Sequence, residues 1–525
     1  MAFLAQPRRF LRTVAGLRQW AQEPFVLEEA VADAQRLAGV RDDRFLSLAR
    51  DAVYGFAPSP YLKLLRRIGC EYGDLEKEVR LNGVQATLQR LAAQGVYVTH
   101  DEMKGRQAAR RGSDEYHFRA EDFDNPLVVP DFKKSTSGTT GRATPIGLSF
   151  EHFREQLAQT ALSTKIHRVE SAAVAHWAPP SGWCISRTLR MSKVIGGVDR
   201  WFSQLPLQRS RGSVFEGAST LGFTTLSRWL GIRIAAPEYV PMDEPQPVVD
   251  WMLAQRGSGR RAVVVTFPAT AVRACLAASQ ANLSLDGVVF LIGGETITAS
   301  KRQSIEDSGA VCVPLFGCTE TGESGEGCLN PLSPDDMHLY EHKFVLASRR
   351  HSVGAVKDLE TPLFTGLGRA APKIVVNGDT GDAGTVERRD CGCPWGDLGY
   401  RTHWRDVWSY SKLTAEGMTL PGDEVYEILE RHMPQRFGGG AGDYQLIAEP
   451  EQGGFVRYRL AVNPSVGPLD EQAVARAFRE ALAVGSLRAM AELLGRAGHL
   501  SVVRRAPMLQ PGGKSLPVVL QRPAG

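Results

Sequence analysis

Over the first 130 residues, apolar positions recur at spacings of three and four, most clearly in Leu27–Ala38 and Leu81–Ala93, and this period predicts helices. The pattern then changes. Short β-branched runs at Ala262–Thr266, Val288–Ile292, Val311–Leu315 and Ile374–Val376 alternate with helical stretches at Ala269–Ser279 and Thr298–Ser308. That alternation predicts α/β layers in which the apolar runs are buried strands. Beyond about residue 405 the texture changes again, to a helix candidate (Gly422–His432), a glycine-rich turn (Gly438–Gly442), two strand candidates (Tyr444–Ala448 and Val456–Val462), a helix (Asp470–Ala483) and a basic tail ending in PGGKSLPVV. The expected division is therefore 1–130 mostly helical, 131–405 an α/β core and 406–525 a small α+β domain, within the usual domain size range. No repeat is visible, and no run of eighteen apolar residues predicts a transmembrane helix.

The N-terminal segment MAFLAQPRRFLRTVAGLRQW has four arginines and no acid, with Phe10, Val14 and Leu17 on one helical face. It reads as an organelle presequence, a surface amphipathic helix or, as we favour, a helix that packs on the body. Composition adds mainly exclusions. With 43% hydrophobic and 23% charged residues, the 525-residue chain is not a disordered protein. A formal net charge of +4 is too slight at this length to imply a nucleic-acid or membrane partner. Eight cysteines in so long a chain do not make a secreted disulfide scaffold. A large soluble enzyme, cytoplasmic by default, is what remains.

The strongest local signal is Ser135-Thr136-Ser137-Gly138-Thr139-Thr140-Gly141. Hydroxyls and the backbone N–H groups that glycine frees can wrap a phosphate, although alone such a run is as readily a surface turn. Three look-alikes fail. Gly366-Leu367-Gly368-Arg369-Ala370-Ala371 fits a dinucleotide fingerprint, but Pro372 follows where a helix is needed. Gly512-Gly513-Lys514-Ser515 lacks the first glycine of a Walker loop, with Met508 in its place. Gly322-Glu323-Ser324-Gly325-Glu326 has Glu326 where a nucleophile elbow ends in glycine. Other segments gain meaning from their order: Gly293-Gly294-Glu295-Thr296 and Phe316-Gly317-Cys318-Thr319-Glu320 each follow a predicted strand, where open α/β sheets bind ligands, and Thr380-Gly381-Asp382 and Lys514 come after.

Taken together, these segments resemble the adenylate-forming superfamily of acyl-CoA synthetases, adenylation domains and luciferases, in particular its phenylacetate-CoA ligase and acyl-protein synthetase branch. Ser137-Gly138-Thr139-Thr140-Gly141-Arg142-Ala143-Thr144 matches the branch's Ser-Gly-Thr-Thr-Gly-x-x-Thr, Gly294-Glu295-Thr296 its Gly-Gly-Glu loop, and Phe316-Gly317-Cys318-Thr319-Glu320 its Tyr-Gly-x-Thr-Glu motif with phenylalanine for tyrosine. Met337-His338-Leu339-Tyr340-Glu341 resembles the segment downstream. The likeness runs from about Ser59 to Pro517. The hinge motif is not legible; Arg405-Asp406 is the nearest candidate but lies early, and an ungapped match puts Trp408, Tyr410 and Ser411 there instead.

The resemblance implies a large multi-layer adenylation domain with a small mobile C-terminal domain, and an enzyme that uses ATP and Mg²⁺. It implies Ser137–Gly141 at the phosphates, Gly294, Glu295, Thr296, Phe316 and Gly317 around adenine, and Asp382 with Arg405 at the ribose. Thr319, Glu320 facing Mg²⁺, and Lys514 bridging carboxylate and α-phosphate would be catalytic, although an exposed lysine is otherwise only a solvated charge. Cys391 and Cys393 form a Cys-x-Cys pair also found in some members of the branch. Cys328 and His338 lie in the segment that runs beside that pair in the family, which would make a closed Cys3His structural zinc site. The expected partners are a small carboxylic acid, aromatic or compact and apolar, and coenzyme A or a carrier protein as thiol acceptor. Trp177, Trp183 and Trp201 lie where the branch builds its acyl pocket, or are simply core. An amine acceptor and a silent nucleotide-binding scaffold are the alternatives.

Overall fold

In the computed structural model of the chain, the described residues are 7–135, 145–179, 182–204, 211–241, 244–294, 297, 299–318, 322–353, 356–409, 413–415, 418–420, 425, 428–439, 443–450, 456–484, 491, 494, 500–506, 508 and 518–520. Helix α1 (Pro7–Gln22) buries Leu17 and Trp20 against Phe150, Phe153, Leu189 and Phe223, so from residue 7 the arginine-rich N-terminal segment is a helix packed on the body. Helices α2 (Leu27–Gly39) and α3 (Arg41–Leu48) follow. Helix α4 (Tyr72–Ala93) begins earlier than its apolar period suggested and is kinked at Gly83, whose φ of 77° only glycine adopts cheaply.

A hairpin of β1 (Phe132–Ser135) and β2 (Pro145–Leu148) brackets residues 136–144, and leads into α5 (Phe150–Glu155) and α6 (Leu157–His167). The chain then winds through β3 (Ala173–Trp177), α7 (Gly182–Val194), β4 (Arg200–Ser203), β5 (Pro237–Tyr239), α8 (Gln246–Gly257), β6 (Ala262–Thr266), α9 (Pro268–Gln280), β7 (Val289–Gly293), α10 (Ala299–Asp307) and β8 (Val311–Cys318). Neighbours among these six strands are parallel, in the order β8-β7-β6-β3-β4-β5. Val264, Phe290 and Cys312 pack under α8–α10 on one face, while Val263, Val265, Val289 and Leu291 meet Met191 of α7 on the other. Burial on both faces is why these strands read as unbroken apolar runs.

Beyond β8 the sheet turns antiparallel through β9 (Gly322–Gly327) and β10 (Met337–Leu339). The chain leaves to build a second sheet of β11 (Phe344–Val353), β12 (Val356–Gly366) and β13 (Gly378–Asp379), whose Val345, Ala347 and Leu363 pack with α3 and α4. It returns as β14 (Asp382–Arg388) and β15 (Thr402–Ser409), completing ten strands in the order β14-β15-β10-β9-β8-β7-β6-β3-β4-β5. The expected strand Ile374–Val376 is not one. Its residues are buried, but Ile374 N–H donates to the Phe123 carbonyl and the Val375 carbonyl accepts from Gly366, and Asn377 then turns the chain at φ 50°. Apolarity there reflects burial under the helices, which a strand pattern mimics.

The C-terminal part has its own core. Strands β16 (Tyr444–Pro450), β17 (Val456–Val462), β18 (Leu500–Arg504) and β19 (Val518–Leu520) form a sheet in the order β18-β17-β16-β19, and α11 (Glu471–Val484) packs Phe478 and Leu482 onto Tyr444, Leu446 and Leu460. The 405/406 boundary expected from sequence falls inside β15. No helix among the described residues is long and apolar enough to cross a membrane.

Candidate active site

Gly293 of β7 stands opposite Leu315 of β8, so Gly294 and Phe316 leave neighbouring parallel strands at the same end. Ligands of open α/β sheets bind outside such carboxyl ends. Gly294 has φ 85°, which a side chain would resist. The β8–β9 pairing slips between Phe316 and Gly317, and a Cβ on Gly317 would lie 2.7 Å from the Gly322 carbonyl oxygen, so only glycine lets the two strands close. Cys318 pairs with Gly322, so β8 and β9 are joined through residues 319–321. The edge of the sheet curls back far enough for Trp404 of β15 to meet the Phe316 ring edge-on at 4.2 Å, with Phe364 at 6.1 Å completing an aromatic wall.

Gly294, Phe316 and Gly317 are thus brought together. Ser137, Gly138, Thr139, Thr140, Gly141, Glu295, Thr296, Thr319, Glu320 and Lys514 lie outside the described residues, as do Tyr410 and Ser411. Asp382 opens β14, paired with Ser409. Arg405 sits inside β15, where Glu387 at 3.0 Å and Asp406 hold its guanidinium. Trp177 and Trp201 are core residues whose indole N–H groups donate to the carbonyls of Val240 and Ala178, and Trp183 lies half-buried with its ring edge toward His176.

Sequence reasoning discarded the Gly322–Glu326 run, yet β9 carries two fully buried carboxylates. Glu323 takes a bidentate pair from Arg190 (2.8 and 3.0 Å), a bond from Arg187 (2.9 Å) and one from Gln159 (3.2 Å). Burial alone would raise its pKa, but the two guanidinium groups hold it well below the carboxylate range. Glu326 accepts from Ser163 and Tyr340, each at 2.6 Å, with His167 at 3.0 Å. Two arginines against one carboxylate leave net positive charge around Glu323. The available signal was Arg187 and Arg190, three apart on a helix that is otherwise apolar enough to be buried.

The four expected metal ligands do converge. Cys391 and Cys393 sulfurs are 3.2 Å apart, Cys328 lies 4.0 Å from Cys393, and His338 Nε2 is 3.5 Å from Cys391 and 3.2 Å from Cys393. Tetrahedral zinc with bonds of ~2.3 Å sets sulfurs about 3.8 Å apart, and the separations of 3.2 and 4.0 Å fall on either side of that value. His338 Nδ1 is bonded to the Tyr400 carbonyl at 2.8 Å, which makes Nδ1 the protonated nitrogen and leaves the Nε2 lone pair facing the thiols. Missed from sequence was His403. It pairs with His338 across β10 and β15, Asp336 holds its Nδ1 at 2.8 Å, and its ligand atom lies within 4.8 Å of those of Cys328, His338 and Cys391. Only strand register reveals that adjacency.

No family model matches the chain, and no curated protein matches it. Among solved structures, it is similar to o-succinylbenzoate CoA synthetase from Bacillus subtilis, at 13% identity over 77% of this chain and 71% of that one, with a TM-score of 0.40. An amide bond synthetase from Marinactinospora thermotolerans is similar at 11% identity, 87% and 91% coverage and a TM-score of 0.39. An acyl-CoA synthetase (AMP-forming)/AMP-acid ligase II-like protein from Dyadobacter fermentans is similar at 14% identity, 73% and 87% coverage and a TM-score of 0.30. Overlaps this partial bear on neither mechanism nor substrate.

Proposed function

We propose that the chain is an ATP-dependent ligase that converts a small carboxylic acid to its acyl-adenylate and passes the acyl group to a thiol. The observation that supports this reading most is the meeting of Gly294 with Phe316-Gly317 at the carboxyl ends of adjoining parallel strands, directly ahead of Thr319-Glu320. A carboxylate is a poor acyl donor because its leaving oxygen is strongly basic. Attack of its oxygen on the α-phosphorus breaks the bond to pyrophosphate and leaves AMP as a good leaving group. A thiolate then attacks the carbonyl, and AMP departs. The protein's task is positioning and charge compensation. In this reading Ser137–Gly141 cradle the terminal phosphates, Phe316 and Gly294–Thr296 bound the adenine, Asp382 takes the ribose hydroxyls, and Lys514 bridges carboxylate and α-phosphate. Glu320, with Thr319 beside it, would hold Mg²⁺, which supplies charge neutralisation at the phosphates.

ATP–pyrophosphate exchange tests the first step. Over a panel of linear acids, benzoate, phenylacetate and 2-aminobenzoate, at least one acid is expected to stimulate exchange, and product mass with coenzyme A, carrier proteins or amines identifies the acceptor. Exchange with none of a broad panel would refute the ligase and favour a nucleotide-binding scaffold. The confinement of Arg405 to Glu387 in β15 favours that rival, since it leaves the hinge candidate engaged elsewhere.

We further propose that Cys328, His338, Cys391 and Cys393 hold a structural zinc, with His403 as a flanking donor. The bound ion would tie β9, β10 and the 391–393 turn together and would leave no ligand position open for chemistry. Protein purified without chelators is expected to carry about one zinc per chain, and Cys393→Ser to lose it together with several kcal/mol of stability. Metal analysis finding below roughly 0.3 equivalents would sink the idea.

A further inference from the structure

His176 lies near the carboxyl end of β3, paired with Val265 of β6, which is level with Leu291 of β7, two residues before Gly293. Strand alternation puts it with Val174 on the face covered by α7. It is fully buried, yet neither ring nitrogen has a hydrogen-bond partner among the described residues. Burial, with Arg187 nearby, pushes its pKa down to about 3, so the neutral ring offers one donor and one acceptor, both unused. The buried Nε–H of Arg187 is likewise unmatched among the described residues, although Glu323 holds Nη1 at 2.9 Å. Both side chains flank Trp183: the imidazole lies 6.4 Å from its ring, edge to face, and the guanidinium carbon 5.7 Å from it. Native interiors leave few polar atoms unmatched, and here three gather around one indole. The same surroundings reach the candidate active site. Trp183 and Phe267 are half-buried against the cluster of Cys184 and Trp201, and Phe267 ring carbons stand 3.4 Å from where a Cβ on Gly294 would lie. The Trp201 ring is 6.0 Å from that of His176.

We propose that the acid substrate is aromatic and carries a ring hydroxyl, which His176 receives, with the Arg187 Nε–H as a second donor. The assignment rests on the ligase reading above and adds to it the class of acid. A hydroxyl both donates and accepts, which matches a neutral imidazole beside a free N–H; a carboxylate only accepts, and a methyl group does neither. Trp183, Trp201 and Phe267 supply flat apolar walls that suit an aryl ring. Trp183, half-buried and edge-on to the imidazole, is the side chain that turns aside to admit the hydroxyl.

The test uses the full chain and ATP–pyrophosphate exchange with benzoate and phenylacetate, each beside its 3- and 4-hydroxy forms. The parent is expected to favour at least one hydroxy acid over its unsubstituted counterpart by ~10-fold or more in kcat/KM, since a site with unmatched polar groups rejects a ligand that cannot satisfy them. His176→Leu is expected to shrink that preference to within ~3-fold while exchange with the unsubstituted acid persists, and His176→Gln to keep part of it. A parent preference below ~3-fold for every pair, or a preference that His176→Leu leaves intact, would overturn the proposal. A readout that needs no variant covers the case in which His176→Leu does not fold. In parent protein labelled with ¹⁵N-histidine, the favoured hydroxy acid should shift ring-nitrogen signals of one of the eleven histidines that the unsubstituted acid leaves in place. If no acid stimulates exchange, the ligase reading fails, and the same spectra judge the pocket by itself with 4-hydroxyphenylacetate against phenylacetate. In either case, equal shifts or none refute the proposal.

Discussion

Glu323→Ala is expected to lower the unfolding free energy by about 3–5 kcal/mol, because it strands two guanidinium groups in the interior. Arg187 and Arg190 are 2% and 1% exposed, and the carboxylate between them is their only acidic partner within hydrogen-bond distance among the described residues. Removing one member of such a cluster costs more than removing the whole. The triple variant Arg187→Met, Glu323→Leu, Arg190→Met is therefore expected to lose less than Glu323→Ala alone. Denaturant unfolding followed by tryptophan fluorescence reads both, and a cost under about 1 kcal/mol for Glu323→Ala would rule out an uncompensated buried charge. The pH dependence has a definite sign. The folded carboxyl is depressed below its ordinary 4.5, so its contribution is fully present above that value and fades as pH falls toward the folded pKa. The gap between parent and Glu323→Ala should accordingly narrow in acid.

Lys514→Ala is expected to cut ATP–pyrophosphate exchange by about 10²–10³-fold while leaving nucleotide affinity within roughly 3-fold, as for other groups that act on charge formed only in the transition state. Exchange rates together with fluorescent-nucleotide titration separate the two quantities. Full activity in that variant would refute the catalytic assignment of Lys514. A parallel fall in nucleotide affinity would move its role to ground-state binding.

Much of the fold was legible because period and burial coincide. The short, β-branched apolar runs of β6 and β7 read as strands and are covered on both faces, and Glu471–Val484 shows its single buried stripe plainly. Where apolarity and pairing part company, the reading failed: Ile374–Val376 is buried against helices without joining a sheet. The discarded Gly322–Glu326 run shows the converse, since a motif that fails as chemistry still carries the two carboxylates around which α6 and α7 are anchored.

The sequence by itself determined the alternation of strand and helix and the order of the motifs, because periodicity and motif order are local properties or sums over the chain, whereas the grouping of Cys328 and His338 with Cys391 and Cys393 came from the resemblance. Only the tertiary structure decided that the thiols and imidazole converge, that His403 joins them, that Arg187 and Arg190 face Glu323, and that His176 is buried beside Trp183 and Trp201. Those facts depend on strand register and on how far the sheet curls, both set by packing between residues tens to hundreds of positions apart, which no local pattern encodes.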